Sequence, residues 1–452
     1  MTARTLPALV VALAIWMAPA PGAAAGGDRT LLIVLDAVPY STMARLTEPV
    51  DAAGNEPLFA DFGRPIPLIS TFPSITSIAL AGILHDYGLE RSPGYEARFF
   101  DWQDRRRRGG GPLSYFRVTF PWREFFDWNR KGPLRNALHA IRPVRAGIKE
   151  LERALASFEA SSRETFSIYI ADTDTAAHLF GPTGLDPILR ALDGQLRALR
   201  ERSGSGLRVA LLSDHGLAGG EPLENVLPAV KRRIKDRGWR VTERLERKGD
   251  VVLTPYGLVS SFEAYAAGAL VPALAGALGS VEGVDFCVAK SGGGWRLTAA
   301  RQSVEFARRD RAGTGEWAWQ LEGETGYGVA AVLAKVADSG IWTTDEDLLE
   351  ATLTAPYPDP LYRLAAAFEA VQNPASVICS TTAGSMYGAL ATERSARWTK
   401  GALRWTHGAL HRDASLGFMM ASDAAGLRPA AVRHDRGLNL LLHPQPTRVV
   451  AR

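Results

Sequence analysis

Two short segments place a carboxylate near an imidazole, each after an apolar run typical of a buried strand. Asp214 and His215 are adjacent in a Ser-Asp-His-Gly sequence, and Asp174 lies four residues before His178. Four residues is about one helical turn, so the second pair would project from one helix face. Carboxylates and imidazoles are common ligands of zinc-class ions. Each pair therefore indicates a metal site, although a capping Asp and a hydrogen-bonded His would leave the same pattern.

Two further segments could complete such sites. Asp36 follows the apolar run 30–35, where a carboxylate is either a metal ligand or a helix cap. Far down the chain, His407 and His411 lie in one Thr-His-Gly-Ala-Leu-His segment, and nothing local distinguishes which of them would bind a metal. The candidate ligands thus come from four separate parts of the chain.

A hydroxyl-rich segment supplies a candidate nucleophile. Phe72–Ser77 precedes an Ala- and Leu-rich run with a helical pattern. A hydroxyl at a helix N-terminus lies near free backbone N–H groups and the positive end of the helix dipole, which suits an alkoxide or a bound phosphoryl oxyanion. A simple Ser or Thr cap would give the same sequence.

The elements that would position these residues alternate between strands and helices. Apolar runs at 30–35, 166–170 and 207–212 are separated by helical patterns at 143–159 and 186–201. Runs without polar alternation suit parallel strands that are buried on both faces. We expect an α/β fold with a mainly parallel central sheet and helices on both faces, whose strand ends form the ligand site.

The domain organisation follows from where this alternation stops. We assign the core to residues 26–216 and 370–452, and a large insertion or cap to residues 217–369. Within the core, residues 91–135 are rich in aromatic side chains and contain an arginine run, Arg105–Arg108. That run is expected to be a solvated loop, or a lid that presents cations to an anionic substrate.

The N-terminus predicts export. Arg4, the apolar run 6–17 and the small residues 23–25 form the pattern of a cleaved signal peptide over residues 1–25. The apolar run is shorter than the roughly 20 residues that span a bilayer, so we expect a secreted or periplasmic protein without a transmembrane anchor. The two cysteines, Cys287 and Cys379, could form one disulfide or remain two buried thiols.

The composition excludes several classes. Hydrophobic residues make up 46% of the 452 residues and charged residues 22%, which excludes intrinsic disorder as the main state. The 52 basic and 48 acidic residues nearly balance, so no electrostatic footprint for nucleic acid or an anionic membrane is indicated.

Taken together, the segments resemble one family. Asp36, the Phe-Pro-Ser-Ile-Thr sequence, Asp-x-x-x-His followed by Gly-Pro, Ser-Asp-His-Gly and the late His-Gly occur in the order found in the alkaline phosphatase superfamily. The resemblance is to its type I phosphodiesterase/nucleotide pyrophosphatase branch, over about residues 28–216 and 370–445. It implies an alkaline phosphatase-like core with two divalent ions, usually Zn²⁺, and a Thr or Ser nucleophile.

Carried over position by position, the resemblance gives each metal three ligands. One metal falls to Asp36, Asp214 and His215, and the other to Asp174, His178 and His407. The resemblance favours His407 over His411, because its His-Gly pair is followed by another strand.

The nucleophile has two possible registers. Thr76, whose oxygen would also contact the first metal, matches members with Phe-Pro-Ser-x-Thr, and we favour it. Thr71 would match members with Thr-Phe-Pro-Asn, but Ser74 then replaces the Asn.

The resemblance predicts a secreted two-metal phosphoesterase that hydrolyses phosphodiester or pyrophosphate bonds of a small substrate through a phospho-threonine intermediate. A phosphomonoesterase, a phosphoryl head-group transferase and a non-catalytic extracellular binding module stay open as alternatives. A sulfatase is disfavoured, since neither cysteine lies in a Cys-x-Pro-x-Arg motif.

Overall fold

Two large β-sheets organise the chain. The computed structural model describes residues 29–49, 56–109, 120–129, 142–254, 257–390, 393–394, 401, 403–422 and 429–443. The predicted signal peptide lies outside these residues. No helix in the described part of the chain is long and apolar enough to cross a membrane.

The strands, in chain order, are β1 (Arg29–Leu35), β2 (Ile66–Ile69), β3 (Phe99–Asp101), β4 (Arg106–Arg108), β5 (Trp128–Asn129), β6 (Thr165–Ile170), β7 (Leu207–Ser213), β8 (Ala218–Gly219), β9 (Glu224–Asn225), β10 (Arg240–Val241), β11 (Asp250–Leu253), β12 (Leu258–Val259), β13 (Ser261–Ala266), β14 (Val284–Ser291), β15 (Gly294–Thr298), β16 (Gln302–Arg311), β17 (Thr314–Gly323), β18 (Thr343–Thr344), β19 (Val377–Thr381), β20 (Ser385–Gly388), β21 (Trp405–Thr406), β22 (Leu416–Ala421) and β23 (Val432–Arg433).

The α-helices of the described residues are α1 (Tyr40–Thr47), α2 (Thr76–Ile83), α3 (Pro143–Glu159), α4 (Asp172–Phe180), α5 (Pro182–Ser203), α6 (Leu227–Asp236), α7 (Val271–Gly279), α8 (Gly328–Leu333), α9 (Asp345–Thr352), α10 (Pro360–Ala366), α11 (Arg412–Ser415) and α12 (His434–Leu442).

The central sheet has seven strands in the order β23-β2-β22-β7-β1-β6-β5. Strand β1 lies between β6 and β7 and runs parallel to both, whereas β22 runs antiparallel to its two neighbours. Residues 31–35 of β1 are almost fully buried, which explains their continuous apolar run. The predicted α/β class is confirmed.

Helices cover both faces of this sheet. Leu31, Ile33 and Leu35 pack in one apolar cluster with residues of α3 and α5. Leu32 and Val34 point to the opposite face and pack with residues of α2 and α12. This division follows from the alternation of side chains along a strand. The sheet is therefore buried on both faces, and residues that follow its strand ends have fixed positions from which they can form a site.

The second sheet has nine strands in the order β10-β11-β13-β19-β14-β15-β16-β17-β18. It extends past residue 369, where we placed the end of the insertion, because β19 pairs with β13 and β14. Cys287 on β14 lies opposite Cys379 on β19, and the two form a disulfide. Of the two possibilities that the sequence left open, the structure has the paired one.

Part of the region 91–135 packs against the second sheet. Arg106–Arg108 form β4 and pair with β3, so this part of the arginine run is a strand and the expectation of a loop is wrong there. Arg107 binds Glu243 and the carbonyl oxygen of Leu253. The loop prediction failed because these arginines have partners from distant segments.

A buried acid on the second sheet makes stability depend on pH. Glu263 of β13 is 5% exposed and accepts a hydrogen bond from Thr254. Burial raises the pKa of Glu263 to about 8, and the charge of Glu96 adds to the rise. The folded state therefore holds a proton that the unfolded state releases near pH 4.5.

We predict that the free energy of unfolding falls as pH rises from about 4.5 towards 8, by up to about 1.4 kcal/mol per pH unit from this group. Urea denaturation at pH 5 and pH 8 measures the change. Glu263→Gln should reduce the difference between the two pH values, whereas the exposed Glu350→Gln should keep it. An equal pH dependence in both variants would contradict the assignment.

Candidate metal centre

The predicted site residues converge at one edge of the central sheet. Leu35 of β1 pairs with Ile170 of β6 and with Ser213 of β7, so the three strands end side by side. Asp36 and Asp214 follow two of these ends directly, and Asp174 lies in the first turn of α4, which begins two residues after the third. Parallel topology thus gathers carboxylates that are far apart in the sequence.

The first group consists of Asp36, Asp214 and His215. Each offers one ligand atom, and these atoms lie within 4.8 Å of one another. His215 Nε2 is 3.5 Å from Asp36 Oδ1 and 3.5 Å from Asp214 Oδ2. All three side chains are buried. The hydroxyl of Thr76, the first residue of α2, lies beside this group, 3.1 Å from Asp36 Oδ1 and 3.3 Å from His215 Nε2.

The second group consists of Asp174, His178 and His407. Asp174 Oδ1 lies 3.3 Å from His178 Nε2 and 3.6 Å from His407 Nε2. Asp174 and His178 share one face of α4, as their spacing predicts, and His407 comes from the residue after β21. The two groups adjoin, because the rings of His215 and His407 stack with centroids 4.1 Å apart.

Backbone carbonyls fix the orientation of all three imidazoles. The Nδ1 atoms of His178, His215 and His407 face the oxygens of Trp405, Gly216 and Ser74 at 3.0, 3.0 and 2.9 Å. A carbonyl oxygen only accepts, so each Nδ1 carries hydrogen. Nε2 of each ring then faces the carboxylate oxygens of the site. This is the outer-shell arrangement that orients metal-binding histidines.

The electrostatics of the site favour an added cation. Burial raises the pKa of Asp36 well above its usual range, and the charges of Asp214 and Asp174 raise it further. Burial also raises the pKa of Asp214, whose Oδ2 accepts no hydrogen bond from any described residue. Burial lowers the pKa of His407, and His215 lowers it further, which keeps its ring neutral. A divalent ion among these donors would relieve the repulsion between the acids.

In the second group, the attraction between Asp174 and His178 favours an ionised carboxylate and a protonated imidazole. Burial raises the pKa of Asp174, but His178 and His407 lower it by more, so the net pKa is low. Burial lowers the pKa of His178, and Asp174 raises it by more. A metal ion bound here would displace the proton of His178, as ligand binding by histidine requires.

Local backbone contacts fix the path of the segments that carry Asp214, His215 and His407. Asp214 Oδ1 accepts hydrogen bonds from the amides of Ala37 and His215, which joins the ends of β1 and β7. Gly216 follows His215 and Gly408 follows His407, each at a point where chain segments approach closely. A Cβ at residue 216 would lie 2.1 Å from a backbone oxygen of Asp413, and Gly408 has a φ of 107°.

The alternatives from the sequence point elsewhere. The hydroxyl of Thr71 donates to the carbonyl oxygen of Pro73 at 2.9 Å. His411 Nε2 donates to the carbonyl oxygen of Thr381 at 3.2 Å, and the same atom lies 3.8 Å from Asp285. The geometry therefore places Thr76 and His407 at the site.

Sequence reasoning missed Tyr169. Its hydroxyl donates to Asp36 Oδ2, so the other oxygen of Asp36 faces Thr76 and His215. Tyr169 pairs with Val34 in the parallel register of β6 and β1, two residues before Asp36. The sequence offered one indication, the hydroxyl of Tyr169 in the otherwise apolar end of its strand.

We predict that zinc raises the melting temperature of metal-free protein, because the ion binds only the folded arrangement.

After reconstitution the wild type should hold about two ions per chain. His407→Gln should hold about one, because the second group loses a ligand. The matched variant His411→Gln should keep about two, since His411 contacts Thr381. Metal analysis of dialysed protein measures the counts, and loss of an ion in the second variant alone would reverse the assignment.

Solved structures that are similar to this chain include two of ectonucleotide pyrophosphatase/phosphodiesterase 5. Murine ectonucleotide pyrophosphatase/phosphodiesterase 5 is 11% identical, with a TM-score of 0.44 and coverage of 92% of this chain and 95% of its own. The human protein is 12% identical, with a TM-score of 0.47 and coverage of 92% and 94%. No protein-family model and no curated protein sequence matches the chain.

Proposed function

We propose that this protein is a metal-dependent phosphoesterase that cleaves phosphodiester or pyrophosphate bonds of a small substrate. One observation carries the proposal: the Thr76 hydroxyl lies 3.1 Å from Asp36 Oδ1, beside two adjoining groups of inward-facing carboxylates and imidazoles. A hydroxyl nucleophile among such ligands suits attack on a phosphorus atom, because the attacking and leaving oxygens both need positive charge nearby.

The donor sets fit two divalent ions of the zinc class. Asp36, Asp214 and His215 would hold one ion, and Asp174, His178 and His407 would hold the other. Nitrogen and oxygen donors of this kind, oriented by hydrogen bonds to backbone carbonyls, are typical of zinc sites. Bound ions would supply positive charge that lowers the pKa of a hydroxyl and stabilises the charge of the phosphoryl group.

The first chemical step is assigned to Thr76. Its Oγ1 would form a bond to phosphorus while the bond from phosphorus to the leaving oxygen breaks, which gives a phospho-threonine. The leaving oxygen would keep the bonding electron pair, and an alkoxide would take a proton from solvent. The nearest acceptor for the hydroxyl proton is Asp36 Oδ1. Thr76 also begins α2, so the phosphoryl oxygens would meet free amides at the helix N-terminus.

The second step returns the enzyme to its starting state. Water would attack phosphorus, the bond from phosphorus to Thr76 Oγ1 would break, and the threonine would regain its proton. A diester substrate would then yield an alcohol and a monoester. Replacing water by an acceptor alcohol would give head-group transfer instead, which is the principal alternative.

Export is part of the proposal. The sequence pattern of residues 1–25 predicts a signal peptide, and the disulfide between Cys287 and Cys379 suits an oxidising compartment. We therefore place the reaction outside the cytoplasm, in the periplasm or the surrounding medium.

Two isosteric variants test the nucleophile. Thr76→Val should lower kcat by at least about a thousandfold, because it removes the attacking oxygen and keeps the shape of the side chain. Metal content should stay near that of the wild type. Thr71→Val should keep kcat within about threefold, since its hydroxyl donates to the oxygen of Pro73 within its own turn. Equal losses in both variants, or full activity of Thr76→Val, would contradict the assignment.

A substrate panel tests the reaction class. With zinc restored, bis(p-nitrophenyl) phosphate should be hydrolysed with a higher kcat/KM than p-nitrophenyl phosphate, and the rate should vanish with chelator. Release of p-nitrophenol measures both reactions. A preference for the monoester would shift the proposal to a phosphomonoesterase, and product formation only with an added acceptor alcohol would shift it to a transferase.

A further inference from the structure

A buried arginine contacts residues 71–76, the nucleophile segment, which leads into Thr76. Arg363 belongs to α10, within the region that the sequence assigned to the insertion, and it is 1% exposed. It comes from a part of the chain that supplies none of the predicted ligands. Buried arginines are rare because the charge loses its hydration, so its surroundings require an explanation.

Its guanidinium joins two catalytic segments. Toward the nucleophile segment, Arg363 donates to the oxygen of Thr71 at 3.0 Å and to Ser74 Oγ at 3.2 Å. Toward the segment after His407, it donates to the oxygen of Leu410 at 3.1 Å and to Ser415 Oγ at 2.5 Å. A fifth contact goes to the oxygen of Pro358 on its own segment. Nη1 donates to Pro358 and Leu410, whereas the two hydrogens of Nη2 are shared among Thr71, Ser74 and Ser415. The planar fork of arginine holds both nitrogens in place.

Ser74 connects this network to both functional side chains. Its carbonyl oxygen accepts the hydrogen bond from His407 Nδ1, and its amide donates to the oxygen of Gly408 at 3.3 Å. Ser74 is also two residues before Thr76, at the entry to α2. A shift of Ser74 would therefore move the nucleophile and rotate a metal ligand at once.

The acceptors of Arg363 are all neutral. Its hydrogen bonds go to three carbonyl oxygens and two hydroxyls. The nearby Asp359 accepts from Arg433 with both carboxylate oxygens. Burial lowers the pKa of Arg363 to about 9, so it still carries its charge at neutral pH. The charge of Asp359 raises the pKa of Arg363 and opposes the effect of burial. The hydrogen bonds of Arg363, however, go to the two chain segments and to Pro358.

We propose that Arg363 is a positioning residue that fixes Thr76 relative to the metal ligand His407. It acts through Ser74 and the carbonyls around it, without touching the substrate. The proposal rests on the proposed function for its kinetic consequence, but its effect on His407 is independent of which reaction the protein catalyses.

Matched lysine variants separate positioning from packing. Arg363→Lys keeps a charge but cannot reach both segments, so kcat should fall about 10- to 100-fold with KM changed by less than about threefold. Arg433→Lys is the control, because Arg433 is also buried but binds Asp359 and the oxygen of Asp345. It should lower the melting temperature at least as much and keep kcat within about threefold. A kcat for Arg363→Lys within about twofold of the wild type would overturn the proposal.

Chemical rescue provides a second test. Millimolar guanidinium should restore activity of Arg363→Ala saturably, while equal concentrations of sodium chloride or urea should not. Thr76→Val should show no rescue under the same conditions. A failure of guanidinium to restore any activity in a folded variant, as judged by circular dichroism, would count against positioning by the fork.

Cobalt binding distinguishes this proposal from the proposed function. The visible absorption of Co²⁺ reports ligand geometry, so Arg363→Lys should weaken or spectrally alter one of the two sites while Arg433→Lys leaves both unchanged. If the wild type hydrolyses no phosphoester but Arg363→Lys still alters one cobalt site, the proposed function fails and positioning stands. An unaltered cobalt titration in Arg363→Lys overturns positioning, whatever the activity.

Discussion

Groups that present electron pairs to one another need a positive charge between them, and this requirement dominates the structure. Three carboxylates and three imidazoles form two adjoining groups, with the ligand atoms of each within 4.8 Å. Backbone carbonyls occupy every Nδ1, so the rings cannot turn away and satisfy the acids from the other side. Burial and the neighbouring acids raise the pKa values of Asp36 and Asp214, which is the electrostatic sign of this conflict. The buried sheet and the helices that cover it hold the acids together despite it.

Segments beside both sheets position the candidate centre, although its strand-end carboxylates come from the central sheet alone. His407 follows β21, a two-residue strand outside the central sheet. Its carbonyl oxygen accepts a hydrogen bond from Ser260, which lies beside β13 of the second sheet, and its ring bonds to Ser74. The position of His407 therefore depends on contacts between segments that are more than a hundred residues apart.

The sequence allowed prediction of the α/β class and of the residues that gather at the sheet edge, because apolar runs and their polar ends reflect local rules. Asp174 and His178 share a helix face by spacing alone. Other features depend on contacts that no local pattern encodes. In the sequence Arg363 is an ordinary helical arginine, and only the fold brings it to the oxygen of Thr71. Likewise, the sequence of Arg106–Arg108 predicts a loop, and only the fold brings Glu243 to Arg107. The pairing of Cys287 with Cys379 required the register of β14 and β19.

The glycines that follow His215 and His407 are explained by the packing of the chain, without any role in metal binding. At residue 216 a side chain would collide with the oxygen of Asp413, and at residue 408 it would lie 3.0 Å from Ser261 Oγ on a strained backbone. Both constraints come from how chain segments cross, and neither involves an ion. A variant of this chain that replaced both histidines would still need both glycines at these crossings. The glycine of each His-Gly pair therefore reflects how the chain packs, whatever its histidine does.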